Sequence, residues 1–129
     1  MDIVEIIKQD YQKFPQDQTY SIYAQDVYFK DPLNEFRGID RYQKMIRFLG
    51  TFFSNIDLEL HNIEQNNEII TTEWRLNMTS PLPWKPRISI PGWTELKLNS
   101  ARQIVSHIDR WHISPFNVLL QNFFGRKKG

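Results

Sequence analysis

Residues 69–78 read I-I-T-T-E-W-R-L-N-M, and from residue 70 onward every second side chain is apolar or a threonine. Successive side chains of a β-strand point to opposite faces of a sheet. The alternation therefore predicts a half-buried strand with Trp74 facing the core. The side chains expected to face inward are those of Ile70, Thr72, Trp74, Leu76 and Met78.

The segments on either side of this strand also have β character. Asn66-Asn67 predicts a hairpin turn, and residues 56–60 before it alternate apolar side chains with acids. After it, the prolines around Trp84 predict a loop that continues to Pro91-Gly92. Alternation resumes over residues 94–98, and a last strand is predicted over residues 103–113.

The first third of the chain has helical periodicity instead. Asp2 and Glu5 have the spacing of a helix-start capping pair, and apolar residues then recur at helical intervals until Pro15. A helix is predicted over residues 3–14. The widest apolar stripe, with a period of 3.6 residues, predicts a second long helix over residues 38–54.

Two shorter elements lie between these helices. A short helix is predicted over residues 19–24, with Tyr20 and Tyr23 on one side. Residues 27–30 are predicted to form a short edge strand that ends at Asp31-Pro32, because proline cannot donate to a β-ladder. Helices followed by a run of antiparallel strands predict an α+β domain with the helices covering one face of the sheet.

Composition excludes several classes of function. The 129 residues carry a formal net charge of +1 and no cysteine, so neither nucleic acid nor a membrane is a predicted partner, and a reducing, cytoplasmic compartment is predicted. No cofactor-binding loop and no metal-ligand spacing is found, so no cofactor and no metal are predicted. One domain is expected over residues 1–125, with a short basic tail over residues 126–129.

The apolar segment over residues 115–125 predicts a final helical turn. It either closes the domain or contacts a second subunit, and both readings fit the sequence.

Four short motifs carry a resemblance to a known superfamily. They are F-K-D-P at 29–32, G-I-D-R-Y at 38–42, W-R-L at 74–76 and S-H-I-D-R-W-H at 106–112. In this order the chain resembles the nuclear-transport-factor-2-like superfamily, on its SnoaL-like side. Residues 83–111 more narrowly resemble a cyanobacterial and plant subfamily with no known activity.

The resemblance implies a cone-like roll of N-terminal helices packed on a curved, mixed but mostly antiparallel sheet. It also implies a pocket between the helices and the sheet, and a homodimer formed through the sheet. Members of the superfamily include isomerases, cyclases, hydrolases and dehydratases as well as non-catalytic modules, so the fold does not select a function.

The last strand provides the candidate polar groups. His107, Asp109 and Trp111 share one face, with about 6–7 Å between alternate residues. Alternation alone leaves open which face is inward, because the opposite set is also mixed. That set comprises Ile104, Ser106, Ile108, Arg110 and His112. The resemblance favours the face of Asp109, since the matching aspartate of SnoaL-like enzymes points into the pocket.

Asp109 is therefore the candidate general acid or base, because apolar walls favour its neutral form and place its proton exchange in a useful range. His107 is the candidate proton relay or orienting group. The predicted ligand-binding side chains are Tyr23, Phe29, Trp74 and Trp111. The alternative is structural: His107 and Asp109 satisfy each other and fix the strand.

Other polar residues have simpler interpretations. Asp31 before a proline is expected to bond nearby backbone, Tyr20 to be core, and His61 to be exposed. Epoxide hydrolases of the superfamily carry an arginine and a second aspartate at the positions of Trp74 and Leu76, so epoxide opening is disfavoured.

Two functional hypotheses follow. One is a pocket for a small, largely apolar ligand, with lyase, isomerase or cyclase-type chemistry at Asp109. The other is a non-catalytic interaction or assembly module that uses the sheet face and a loop carrying Trp84 and Trp93.

Overall fold

The computed structural model describes residues 2–124. Its elements are α1 (Ile3–Lys13), a 3₁₀ turn (Tyr20–Ile22), β1 (Tyr23–Lys30), β2 (Glu35–Arg37), α2 (Ile39–Phe52), β3 (Ser54–Asn66), β4 (Ile69–Thr79), β5 (Arg87–Leu98), β6 (Ile104–Trp111) and α3 (Pro115–Phe124).

The strands form one sheet in the order β2-β1-β6-β5-β4-β3. All neighbouring pairs are antiparallel except β1 and β6, which are parallel. The predicted α+β class and the mixed, mostly antiparallel sheet are confirmed. Within residues 2–124, no helix is long and apolar enough to cross a membrane.

Both long helices begin within one residue of the predicted position, and both bury their apolar face as predicted. The Asp2 carboxylate accepts a hydrogen bond from the backbone N–H of Glu5 at 3.0 Å, which caps α1. The residue before α2 is Gly38 with φ of +113°, a backbone conformation that side chains strongly disfavour. The residues that these helices bury against the sheet include Ile3, Ile7, Ile39, Tyr42 and Ile46.

The region between the helices differs from the prediction. The short helix over residues 19–24 is only a 3₁₀ turn, and Tyr23 already begins β1. β1 is not an edge strand, because β2 pairs with one side of it and β6 with the other. The edge strand beside β1 is β2, and its three residues are too few for the alternation to be recognised in the sequence.

The Pro91-Gly92 pair lies inside β5 and does not end a loop. A Cβ atom on Gly92 would lie 2.5 Å from the carbonyl oxygen of Arg110 and 2.6 Å from the Trp74 ring. Glycine is therefore required here for the close approach of an indole and a neighbouring backbone, not for a turn.

A bulge in β6 corrects the assignment of its two faces. Lys97 pairs with Ser106 but Leu98 pairs with Ile104, so one residue of β6 is unpaired. Ile104 is consequently fully buried in the core, on the same side as His107 and not opposite to it.

The apolar segment after β6 forms α3, as predicted. Gln121 holds it against β5, donating to the carbonyl of Ser89 at 3.0 Å and accepting from its N–H at 2.7 Å. The Trp84 indole also donates to the carbonyl of Asn122. These contacts close the domain against the sheet, and a contact of α3 with a second subunit stays a prediction. Gly125 and the basic tail over residues 126–129 lie outside the described residues.

Candidate functional site

A cavity of about 660 Å³ lies between the helices and one face of the sheet. This volume falls within the roughly 300–1,000 Å³ typical of small-molecule sites. α1, α2, α3 and strands β3 to β6 all contribute lining residues, and most of the lining surface is apolar. We call this side of the sheet the cavity face; it carries Trp74, Thr94, His107, Asp109 and Trp111.

The cavity is the place where most of the predicted site residues meet. Those that line it are Tyr23, Trp74, His107, Asp109 and Trp111. Phe29 does not line it, and the prediction of a ligand contact there is wrong. Its ring is 1% exposed and packs behind His107, with ring centroids 5.0 Å apart.

His107 and Asp109 belong to a chain of hydrogen bonds that crosses the cavity face. The Nε2 atom of His107 lies 2.8 Å from Oδ1 of Asp109, and its Nδ1 atom lies 3.1 Å from the Tyr23 hydroxyl. The Trp74 indole donates to the Thr94 hydroxyl at 2.7 Å, and that hydroxyl donates to Oδ1 of Asp109 at 2.6 Å.

Donor chemistry fixes where the protons lie in this chain. An indole N–H can only donate, so the single hydrogen of the Thr94 hydroxyl goes to Asp109. With Asp109 ionised, its Oδ1 accepts from His107, so neutral His107 carries its hydrogen on Nε2 and accepts from Tyr23 on Nδ1. Oδ2 of Asp109 has no hydrogen-bond partner within residues 2–124, and it is the carboxylate oxygen left for a ligand.

Three tyrosines lie near Asp109, and one of them, Tyr23, is itself part of the chain of hydrogen bonds. Burial raises the pKa of Tyr11, of Tyr23 and of Tyr42 above the usual range, and the negative charge of Asp109 raises each further. The Tyr11 hydroxyl lies 2.8 Å from that of Thr72. All three side chains are therefore neutral hydrogen-bonding groups at physiological pH.

Asp31 makes the predicted turn and also reaches the cavity. Its Oδ1 accepts from the backbone N–H groups of Leu33 at 2.8 Å and Asn34 at 2.6 Å. The parallel register pairs Lys30 with Ile108, so Asp31 follows beside Asp109. Burial raises the pKa of Asp31, and the charge of Asp109 adds to this increase.

The remaining carboxyl group of the lining belongs to Asp10 on α1. Its two carboxylate oxygens accept from the N–H and the hydroxyl of Thr19, each at 2.9 Å. No lysine or arginine of the described chain lines the cavity. Across residues 2–124, no group of three or more histidine, aspartate and glutamate side chains is arranged to hold a metal ion.

Sequence reasoning did not identify two polar residues near this site, although the sequence pattern marks the position of each. Tyr11 lies on the apolar stripe of α1, and Thr94 lies on the inward set of its alternating strand. A hydroxyl on an otherwise apolar face could have marked each of them as a buried partner. Tyr20 lines the cavity, and His61 is half exposed, 3.3 Å from Glu59.

Solved structures of other proteins share this fold. A Catenulispora acidiphila protein of ketosteroid isomerase-like fold, in complex with trimethylamine, is 16% identical over 93% of this chain and 91% of its own, with a TM-score of 0.74. An epoxide hydrolase from M. tuberculosis has a TM-score of 0.71, at 14% identity over 95% and 87%. A Jannaschia protein provisionally named a SnoaL-like polyketide cyclase has a TM-score of 0.75, at 13% identity over 92% and 89%.

These likenesses establish the nuclear-transport-factor-2-like fold of the SnoaL and ketosteroid isomerase kind, as the sequence motifs predicted. Within that class the chain belongs to the DUF2358 family, described as "Uncharacterized conserved protein", whose model matches residues 1–107. No curated protein matches the sequence.

Proposed function

We propose that this protein binds a largely apolar small molecule in the cavity, with Asp109 and His107 as its main polar contacts. The observation that carries the proposal is an apolar cavity of ligand size that ends on a hydrogen-bonded carboxylate with one free oxygen. Trp74 and Trp111 line the same cavity and provide large apolar surfaces for contact. The presence of trimethylamine in the Catenulispora protein supports a small-molecule role for this fold.

We further propose that Asp109 acts as a general base or acid in a lyase, isomerase or cyclase-type reaction. Its Oδ2 accepts no hydrogen bond from residues 2–124, so it is free to exchange a proton with a ligand. His107 would orient Asp109 through Oδ1, and Tyr23 would hold His107 in the Nε2–H tautomer. The epoxide hydrolase and the provisionally named cyclase among the structural neighbours support enzymatic use of the fold.

The first test is native mass spectrometry of protein purified from its own host. We expect the wild-type protein to retain a small apolar compound. A Leu58→Trp variant should lose it, because Leu58 is half-buried and lines the cavity, so that an indole there would occupy its volume.

The matched control is Ile108→Trp, a change of similar size at a half-buried residue that does not line this cavity. It should retain the compound. Loss of the compound from both variants alike, with circular dichroism unchanged, would contradict binding in the cavity.

The alternative function is an interaction or assembly module, and its predicted surface changes with the structure. Trp84 lies in the loop before β5 and packs on α3, whereas Trp93 lies within β5, so the two do not share a loop. Trp93 stacks on His112 on the side of the sheet away from the cavity, with ring centroids 4.6 Å apart. A depression beside Trp93 and Arg110 is the feature that favours this alternative.

A homodimer stays a prediction from the superfamily resemblance. Light scattering of the purified protein would measure it directly.

A further inference from the structure

The cavity lining carries ionisable side chains of a single sign. Its carboxyl groups belong to Asp10, Asp31 and Asp109, and it includes no lysine or arginine of residues 2–124. His107 is the one lining side chain that can become cationic, and it is already engaged with Asp109 on one nitrogen and with Tyr23 on the other. An anionic ligand would therefore find no charged partner there.

The polar end of the cavity holds two neighbouring carboxyl groups, those of Asp31 and Asp109. Asp10 is engaged by Thr19 and Asp31 by the N–H groups of its own turn, whereas Oδ2 of Asp109 accepts no hydrogen bond from residues 2–124. Asp31 follows the end of β1 and lies beside Asp109 on β6. Burial raises the pKa of Asp31, the hydrogen bonds from Leu33 and Asn34 lower it, and the negative charge of Asp109 raises it, so the two carboxylates repel each other. A positive charge between them would stabilise both ionised forms.

The walls around this end suit a cation as well. Tyr11, Tyr23 and Tyr42 are neutral, and the rings of Tyr23 and Tyr42 lie 5.2 Å apart. Trp74 and Trp111 also line the cavity. The faces of aromatic rings attract ammonium groups, most strongly when water is excluded.

We propose that the ligand has an apolar body and a protonated amine, or another cationic head group, which binds Oδ2 of Asp109 inside the cavity. This inference rests on the proposed function and specifies the chemical class of its ligand. The apolar lining on α2, α3 and strands β3 to β5 receives the body, and the carboxylates receive the head.

Three probes with one apolar cage and different head groups test the sign of that charge: 1-adamantylmethylamine, 1-adamantanemethanol and adamantane-1-carboxylate. Titration calorimetry at neutral pH should rank the amine first, at least about tenfold tighter than the carboxylate, which corresponds to about 1.4 kcal/mol. Equal or tighter binding of the alcohol or the carboxylate would overturn the cationic head group while leaving the proposed cavity function standing. Failure of all three to bind would count against the cavity function itself.

The variant arm assigns the preference to Asp109. Asp109→Asn should reduce binding of the amine about tenfold or more and leave binding of the alcohol within a factor of two to three, because only the charged head loses its partner. Glu73→Gln is the control, since Glu73 is an exposed carboxylate that pairs with a histidine outside the cavity. It should not change the ranking.

Should Asp109→Asn fail to fold, Asp31→Asn provides the second variant, because its amide oxygen still accepts the turn hydrogen bonds. It should weaken the amine selectively. An unchanged preference for the amine in every variant that folds would overturn the assignment.

Discussion

The two faces of the sheet each carry a pair formed by a histidine and a carboxylate, but in opposite environments. On the cavity face, His107 and Asp109 lie 2.8 Å apart with side-chain exposures of 9% and 21%. On the outer face, which carries Glu73, Trp93 and His112, the pair formed by His112 and Glu73 lies 3.2 Å apart with both side chains 46% exposed. An exposed pair of this kind contributes about 0–1 kcal/mol and is screened by salt.

The difference lies in what surrounds each pair. Asp109 is also bonded to Thr94, and His107 to Tyr23, so every polar atom of the inner pair except one oxygen is occupied by a fixed partner. The Trp93 ring stacks on His112 of the outer pair, and neither side chain of that pair makes a further hydrogen bond within residues 2–124. A histidine and a carboxylate become a candidate site through the buried groups that orient them, not through their own residue types.

The tryptophans of the two faces should show the largest difference. Trp74 is 6% exposed and its indole N–H is bonded to Thr94, whereas Trp93 is half-buried on the outer face. Trp74→Ala should lower the free energy of unfolding by about 3–5 kcal/mol, because it removes a large buried ring and leaves a cavity.

Trp93→Ala should lower the free energy of unfolding by only about 1 kcal/mol. Urea denaturation of both variants, followed by circular dichroism, measures the contrast. Equal losses would mean that the outer face is as tightly packed as the cavity face, contrary to its exposure.

The threonines of the two faces should differ by a smaller amount. Thr94→Val removes the hydroxyl that accepts from Trp74 and donates to Asp109, which leaves a buried indole N–H without a partner. The expected loss in the free energy of unfolding is about 1–3 kcal/mol.

Thr71→Val is the control, since Thr71 is opposite Glu95 in the β4–β5 ladder and lies one residue from the inward Thr72. Thr71→Val should change the free energy of unfolding by no more than about 0.5 kcal/mol. The same denaturation measurement compares the two variants. If Thr94→Val lowers the free energy of unfolding no more than the control does, the Thr94 hydroxyl does not stabilise the hydrogen bonds between Trp74 and Asp109.

Much of the fold was predictable because its main signals are local. The alternation around Trp74, the Asn66-Asn67 turn and the stripe of α2 each depend on residues that are close in sequence, and the structure confirms all three. The place of β1 beside β6 was not predictable, because a parallel pairing across the chain leaves no local pattern.

The misread positions share one cause. Gly92 is explained by the Trp74 ring above it, and the inward turn of Ile104 by a bulge opposite Leu98. Both features depend on contacts between strands. A single sequence shows that residue 92 is a glycine, but it does not show which atoms of other strands pack against it. Phe29 is predicted to contact a ligand because it is a large aromatic residue. Its ring instead packs against Phe36, Tyr42 and His107 in the core.

The candidate site was predictable in part. Period two was enough to put His107, Asp109 and Trp111 on one face, and the resemblance favoured that face as inward. The hydrogen-bond partners Thr94 and Tyr23 come from different strands, so their convergence on Asp109 and His107 required the tertiary structure.

A crystal structure of the protein with 1-adamantylmethylamine tests most directly whether the cavity face is the binding face. The account predicts electron density for the cage between Trp74 and Trp111, with the amine within hydrogen-bond distance of Oδ2 of Asp109. An empty cavity, with the compound bound instead beside Trp93 and His112 on the outer face, would contradict it.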